Sequence, residues 1–80
     1  MKALTRRQRE VLALAANGNT NQQIARWLHI SRDTVNNILG NAYRTLGAHD
    51  RAHAVAIALA VGELGVQQII VPDQQRGAAA

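Results

Sequence analysis

The sequence predicts an all-α domain of four short helices, and three observations carry that prediction. The apolar content is 48%, heavy in Ala, and Trp27 and Tyr43 are the only aromatics, whereas a β-sandwich would draw far more on aromatic and β-branched residues. Four small polar residues, Thr5, Thr20, Ser31 and Asp50, each stand just before a stretch whose apolar residues recur at helical spacing. Glycines at 18, 47 and 65 follow three of those stretches, where a helix would stop.

Thr5-Arg6-Arg7-Gln8 is a T-x-x-Q capping box, in which hydroxyl and amide each take the other residue's orphan N–H. Val11, Leu12 and Ala15 then share one face, so the first helix spans about 6–17, and Asn17-Gly18-Asn19 ends it. Thr20-Asn21-Gln22-Gln23 is a second box and opens a helix of about 21–28 with Ile24, Ala25 and Leu28 inward. After the break His29-Ile30-Ser31, Ser31 caps a third helix of about 32–46. That helix buries Val35, Ile38, Leu39, Ala42 and Leu46, at spacings of three and four, and stops at Gly47. Asp50 caps a fourth helix of about 51–64, closed by Gly65. Gln67 to Val71 forms a further short turn or strand. Residues 65–80 are expected to be a largely flexible tail, with Asp73 to Ala80 disordered because nothing there can be buried.

With 80 residues and 8.6 kDa, one domain is the limit, and folding buries about 60–65% of the extended surface. The absence of cysteine excludes a disulfide staple, a thiol nucleophile, a zinc finger and a redox switch. The longest apolar run, Ala54 to Val61, has eight residues where a membrane span needs about 20. No signal peptide is apparent at the N-terminus, so the reading is a soluble, cytoplasmic protein with no membrane partner. Charge is uneven: residues 1–51 hold eight Lys and Arg against three Asp and Glu, while residues 52–80 carry a net −1. A basic front and a neutral, apolar back fit a polyanion-binding surface joined to a packing or pairing element.

Helices of about 8 and 15 residues joined by a three-to-four-residue turn have helix-turn-helix spacing. The short turn makes the helices cross steeply, so helix 2 braces helix 3 while helix 3 offers its outer face. A helix fits the major groove, about 12 Å wide, where each base pair shows a distinct donor and acceptor pattern.

A longer pattern runs through these elements. It reads Leu4-Thr5-x-x-Gln8-x-Glu10-Val11-Leu12, then Gly18-x-x-Asn21-x-x-Ile24-Ala25-x-x-Leu28-x-Ile30-Ser31-x-x-Thr34-Val35. Tyr43-Arg44-x-Leu46-Gly47 and Arg51-x-x-Ala54-Val55 complete it. This resembles the LuxR-type helix-turn-helix domain over residues 4–64, in order and without a gap. The resemblance implies a four-helix DNA-binding domain of bacterial or phage origin, with helix 3 in the major groove and dimerisation through helix 4. Such domains usually follow a receiver or ligand-binding domain, so this chain resembles the stand-alone members or a piece of a larger regulator.

On the family pattern the base-reading positions fall on Asn36, Asn37 and Gly40; the family commonly carries Lys at the first and Lys or Ser at the third, and its commonly His-bearing position between them is Ile38 here. Each asparagine can offer adenine a bidentate amide, at about 1–3 kcal/mol of discrimination. Gly40 either permits a close backbone approach or merely weakens the helix, by about 1 kcal/mol relative to Ala. Phosphates are expected at the helix starts, on Ser31 and Thr34 and on Thr20 and Asn21, where free N–H groups favour an anion. Arg26, Arg32, Arg44 and Arg51 are the candidate cations, with Arg44 strongest by family position, although some would instead pair with Asp33, Glu10 or Asp50. Arg6, Arg7 and Arg9 read as a solvated face. Trp27 reads as partly buried beside helix 3, with base stacking as the alternative, and Tyr43 as structural. His29 fills a turn position that wants positive φ, which His tolerates better than most residues.

His49 and His53 have the i, i+4 spacing of a zinc-metallopeptidase helix, but a third ligand is lacking and His49 precedes the N-cap, so the rings should not share a face. No catalytic residue, cofactor or metal is expected. The leading reading is a sequence-specific, dimeric regulator of transcription that binds an inverted repeat of double-stranded DNA. Val55, Leu59 and Gly62 follow one stripe of helix 4 and Ile57, Val61 and Leu64 a second; one stripe can cover helices 1 and 3, which leaves the other for a homodimer contact expected to involve Val55, Leu59, Val61 and Gly62. The alternative for that second stripe is cover by the segment Gln67–Val71. RNA polymerase or another regulator is a further candidate partner. The competing reading is an interaction module that pairs with another regulator and modulates its DNA binding.

Overall fold

Each of the four helices begins on the residue whose side chain can take an orphan N–H. In the computed structural model, which describes residues 3–72, the helices are α1 (Arg6–Ala16), α2 (Asn21–Leu28), α3 (Arg32–Leu46) and α4 (Arg51–Val61). A 3-10 turn, Val66–Gln68, follows them. The expectation for residues 73–80 lies outside the described residues. Both T-x-x-Q boxes close as the chemistry requires. The Gln8 N–H donates to Thr5 Oγ1 at 3.0 Å and Gln23 N–H to Thr20 Oγ1 at 3.1 Å, and both threonine N–H groups are taken in return. Ser31 Oγ accepts from the Thr34 N–H and Asp50 Oδ1 from the His53 N–H.

α3 packs against α1, α2 and α4, which makes it the centre of the domain. Val35, Leu39, Ala42 and Leu46 are its buried stripe. They meet Val11, Leu12 and Ala15 of α1, Ile24 and Ala25 of α2, and Ala54 and Ala58 of α4 in one cluster. Ile38 and Leu28 are only half-buried at its edge. Leu4 is buried, its N–H donates to Glu63 Oε1 at 2.8 Å, and Arg9 donates to the Leu4 carbonyl at 2.8 Å and forms an ion pair with the Glu63 carboxylate at 3.7 Å. That knot ties the start of the domain to the end of α4. Arg9 is therefore part of the scaffold, Arg7 pairs with Glu10, and Arg6 stays exposed.

The fourth helix is shorter than its sequence suggests. It ends at Val61 rather than 64, because Gly62, not Gly65, adopts the left-handed conformation, φ 82°. The Glu63 N–H returns to the Ala58 carbonyl at 2.8 Å and the Gly62 N–H reaches the Leu59 carbonyl, a Schellman closure. Its energetic reason is Leu64: the reversal swings this residue into the core, 1% exposed, instead of leaving it on an outer stripe with Ile57 and Val61. The short element expected at Gln67–Val71 is present as the 3-10 turn, but it does not cover α4. Asn17, at the end of α1, holds it instead, donating to the Gln68 carbonyl at 3.0 Å and accepting from the Ile70 N–H at 2.7 Å.

Gly62→Ala should therefore cost about 1–2 kcal/mol, the left-handed penalty of an L-residue. Gly65, with negative φ, has only the flexible Gln67 side chain close to a new Cβ, so Gly65→Ala should cost only a few tenths by the scale of surface changes. Thermal unfolding of both variants checks the order; equal losses would contradict the reversal at Gly62.

Candidate nucleic-acid interface

The outer face of α3 is set by the way α2 turns into it. Gln23 and Arg26 lie outward on α2 while Ile24 and Ala25 are buried, so α2 lies flat on the core. His29 then takes a left-handed conformation, φ 58°, and the Ile30 N–H returns to the Ala25 carbonyl at 3.0 Å. As expected for that position, a histidine carries a positive φ. Two residues later Ser31 restarts the chain as α3.

With Val35, Leu39, Ala42 and Leu46 inward, Asn36, Asn37, Asn41 and Arg44 are exposed and Gly40 is half-exposed among them. Asn37 has no side-chain hydrogen bond among the described residues, so its amide is free to turn. Asn36 is held: its Oδ1 accepts from Asn21 Nδ2 at 2.6 Å, across the gap between α2 and α3. Gly40 is an ordinary helical residue, and a Cβ there would meet only the Arg44 guanidinium, at 3.9 Å. Arg44 thus lies across the space that Gly40 leaves open, and it also donates to Asn41 Oδ1.

Four of the expected phosphate ligands line two clefts. Thr20, Asn21, Gln22, Arg32 and Asn36 line one cleft, where the N-terminus of α2 opens towards the first turn of α3. Arg26 and Arg32 flank a second groove with Gln22, Ala25, His29 and Ile30. Ser31 and Thr34 share a hydroxyl hydrogen bond of 2.8 Å at the exposed start of α3. Among the described residues Arg26, Arg32 and Arg44 form no ion pair, so the expected pairing with Asp33, Glu10 or Asp50 does not occur. Arg51 sits differently. Its guanidinium donates to the Asn19 carbonyl at 3.0 Å and to Asn21 Oδ1, linking the start of α4 to the start of α2.

Two side chains depart from their sequence reading. Trp27 is 72% exposed and does not pack beside α3. Only Ile24, Ala25 and the half-buried Leu28 face the core, and Trp27 falls to the α1 side of that narrow stripe, over Ala13, Leu14 and Leu28. His49 and His53 do come together, their rings stacked 5.2 Å apart and 9° from parallel. The cause is local: His53 Nδ1 accepts the His49 N–H at 3.1 Å beside the Asp50 cap, which turns one ring over the other. Parallel rings do not aim two lone pairs at one point, so the pair has no chelating geometry.

Asn41 and Asn19 are the residues that sequence reasoning missed. The i, i+3 spacing of Asn41 and Arg44 is a usable signal, since side chains three apart meet on a helix. Asn19 meets Arg51 through its backbone carbonyl, for which no sequence signal exists.

Comparison with known proteins decides what this surface belongs to. Residues 2–58 match the bacterial regulatory proteins of the luxR family. The chain belongs to that family. It is a LuxR-family helix-turn-helix domain of the kind that binds DNA in transcriptional regulators, and its relatives are regulators rather than enzymes. A probable transcriptional regulatory protein of Hyphomicrobium methylovorum, SgaR, is 49% identical over 61 residues, 76% of this chain and 29% of SgaR. The spore germination protein GerE of Bacillus subtilis is 44% identical over 61 residues, 76% of this chain and 82% of GerE. The LuxR-family domain thus spans less than a third of SgaR but most of GerE. The solved structure of the transcription factor GerE superposes with a TM-score of 0.75 at 34% identity, covering 81% of this chain and 97% of GerE. The structure of VqmA bound to DPO gives a TM-score of 0.70 at 30% identity, over 90% of this chain and 34% of VqmA. No helix among the described residues is long and apolar enough to cross a membrane.

The exposure of Trp27 has a direct test. A buried tryptophan cut to alanine costs about 3–5 kcal/mol, so Trp27→Ala should cost less than about 1 kcal/mol in a thermal melt. A loss in the buried range would return Trp27 to the core.

Proposed function

We propose that this domain binds an inverted repeat of double-stranded DNA as a homodimer in the cytoplasm, with α3 in the major groove. The observation that carries this reading is the face of α3: uncharged amides in the middle and unpaired arginines around them. Amides discriminate between bases by donor and acceptor pattern, while cations and helix N-termini hold the backbone without reading sequence. On this reading Asn36 and Asn37 meet base edges, and Gly40 leaves room for the groove wall. Thr20, Asn21, Ser31, Thr34, Arg26, Arg32 and Arg44 meet phosphates, and Arg51 supports them from behind through Asn21.

Pairing of two copies falls to α4. Its exposed line is Ala52, Ala56 and Ala60, with Val61 44% exposed at its end and Gly62 exposed at the turn. Val55 and Leu59 are half-buried against the core and border that line. Small residues let two helices approach closely, and a two-fold axis makes the contact self-complementary. Paired half-sites about one helical turn apart would then present both copies of α3 to one side of the duplex.

The exposed Trp27, set on the side of α2 away from α3, supports a second reading, in which the domain pairs with another regulator and modulates its DNA binding. Salt dependence separates the two. A domain that neutralises about six phosphates should bind duplex with a log–log salt slope near −5, whereas an interaction module should show little duplex binding at any salt.

Asn37→Ala should weaken the best site by about 1–3 kcal/mol and leave nonspecific binding nearly unchanged. Equal losses on cognate and random duplex would instead make Asn37 a phosphate ligand. For the dimer, Ala56→Glu or Val61→Glu should abolish pairing on an inverted repeat while preserving the melting transition, because neither residue is in the core. Leu59→Glu would strike core and interface together and so decides less. Sedimentation with and without DNA reads the outcome, and non-cooperative, one-at-a-time occupancy by the parent protein would exclude the dimer.

A further inference from the structure

Resting on the reading of α3 as the base-contacting helix, we propose that Arg51 is a positioning residue that sets the base preference of Asn36, acting through Asn21. A guanidinium carries donors and no acceptor. Arg51 Nη1 donates to the Asn19 carbonyl at 3.0 Å and Nη2 to the side chain of Asn21. The Asn21 atom that faces Arg51 is therefore its oxygen, and its NH2 group faces the other way, towards α3. An amide NH2 is also a pure donor, so the Asn36 atom that meets it, at 2.6 Å, is Oδ1. Polarity is passed from the first turn of α4, through the first turn of α2, to the recognition helix. Reversing either amide alone would set donor against donor, so the three residues hold one arrangement.

The consequence is chemical. With Oδ1 drawn towards α2, the free end of Asn36 is its Nδ2, with two hydrogens to give. In the major groove guanine offers two acceptors, O6 and N7, whereas cytosine offers the N4 donor. The bidentate adenine contact needs the asparagine oxygen turned to the adenine amino group, which this arrangement opposes. Asn36 therefore selects guanine at its base pair, and Asn37, whose amide is unheld, keeps the adenine contact open. The two adjacent asparagines, alike in sequence, become different readers.

The test is selection of bound sequences from a random duplex pool by the parent, Asn21→Asp, Arg51→Ala and Asn36→Ala. An Asp at 21 still accepts from Arg51, but it has only acceptors to offer α3, so Asn36 must turn its NH2 inward and its oxygen to the groove. The position that loses its preference in Asn36→Ala should show guanine in the parent. In Asn21→Asp it should change to cytosine or adenine, a shift of about tenfold or more in the guanine-to-cytosine ratio, in line with one good base contact. Arg51→Ala should flatten the preference there and leave the other positions as they were. A uniform fall in affinity with the same bases selected, which a phosphate or purely structural role would give, overturns the inference. A parent that enriches no sequence overturns base reading and this inference together; an enriched parent whose Asn36 position is unmoved in Asn21→Asp overturns the inference alone. Side-chain amide exchange in the DNA-free protein provides a readout independent of binding. Asn36 NH2 hydrogens should exchange fast in the parent and slowly in Asn21→Asp, and no change there also overturns it.

Discussion

At His29 the backbone runs left-handed for one residue, and everything that α3 can present follows from that reversal. The Ile30 N–H closes on the Ala25 carbonyl, Ser31 caps the next helix, and α3 starts without slack. A longer loop would let α3 slide or roll relative to α2. The short one fixes which four residues of α3 are buried, and hence which remain outside. It also brings the first turn of α2 within hydrogen-bonding reach of Asn36. The apolar core holds this arrangement in place, but the turn decides its geometry.

The domain separates its polar work from its packing work with little overlap. No polar or charged residue among those described is buried, so the core is purely Ala, Val, Leu and Ile. The long-range polar contacts lie at the seams instead: Leu4 and Arg9 with Glu63, Asn17 with Gln68 and Ile70, Asn21 with Asn36, and Arg51 with Asn19 and Asn21. Such seam contacts add modestly to stability, about 0.5–1.5 kcal/mol for a neutral hydrogen bond. Their larger effect is to fix register, because each joins elements that apolar contact alone would let shift.

The sequence made the helix starts legible because a cap is a conversation between residues three apart. Thr5 with Gln8, Thr20 with Gln23, Ser31 with Thr34 and Asp50 with His53 are all visible in one short window. The end of α4 was not, since Gly62 and Gly65 are equally able to turn the chain and only the burial of Leu64 chooses between them. Trp27 departs from its sequence expectation for a related reason. On a helix of eight residues a large apolar side chain beside the buried stripe is assumed to join it, yet the core here closes over Ile24 and Ala25 and leaves the ring outside. Most of the residues proposed to face DNA were placed by family resemblance and by helix position. The hold on Asn36 is not legible in the sequence, because Asn21 lies 15 residues from Asn36 and 30 from Arg51, and no spacing rule spans those distances.

The solvent-facing indole has a practical corollary. Trp27 is the sole tryptophan of the chain, and in the native fold its ring is already bathed in water. Its emission is therefore that of a hydrated indole both before and after denaturation, so the usual red shift is a poor gauge of whether the domain is folded. The same property makes it a quiet background against which any molecule that covers the flank of α2 announces itself by a blue shift.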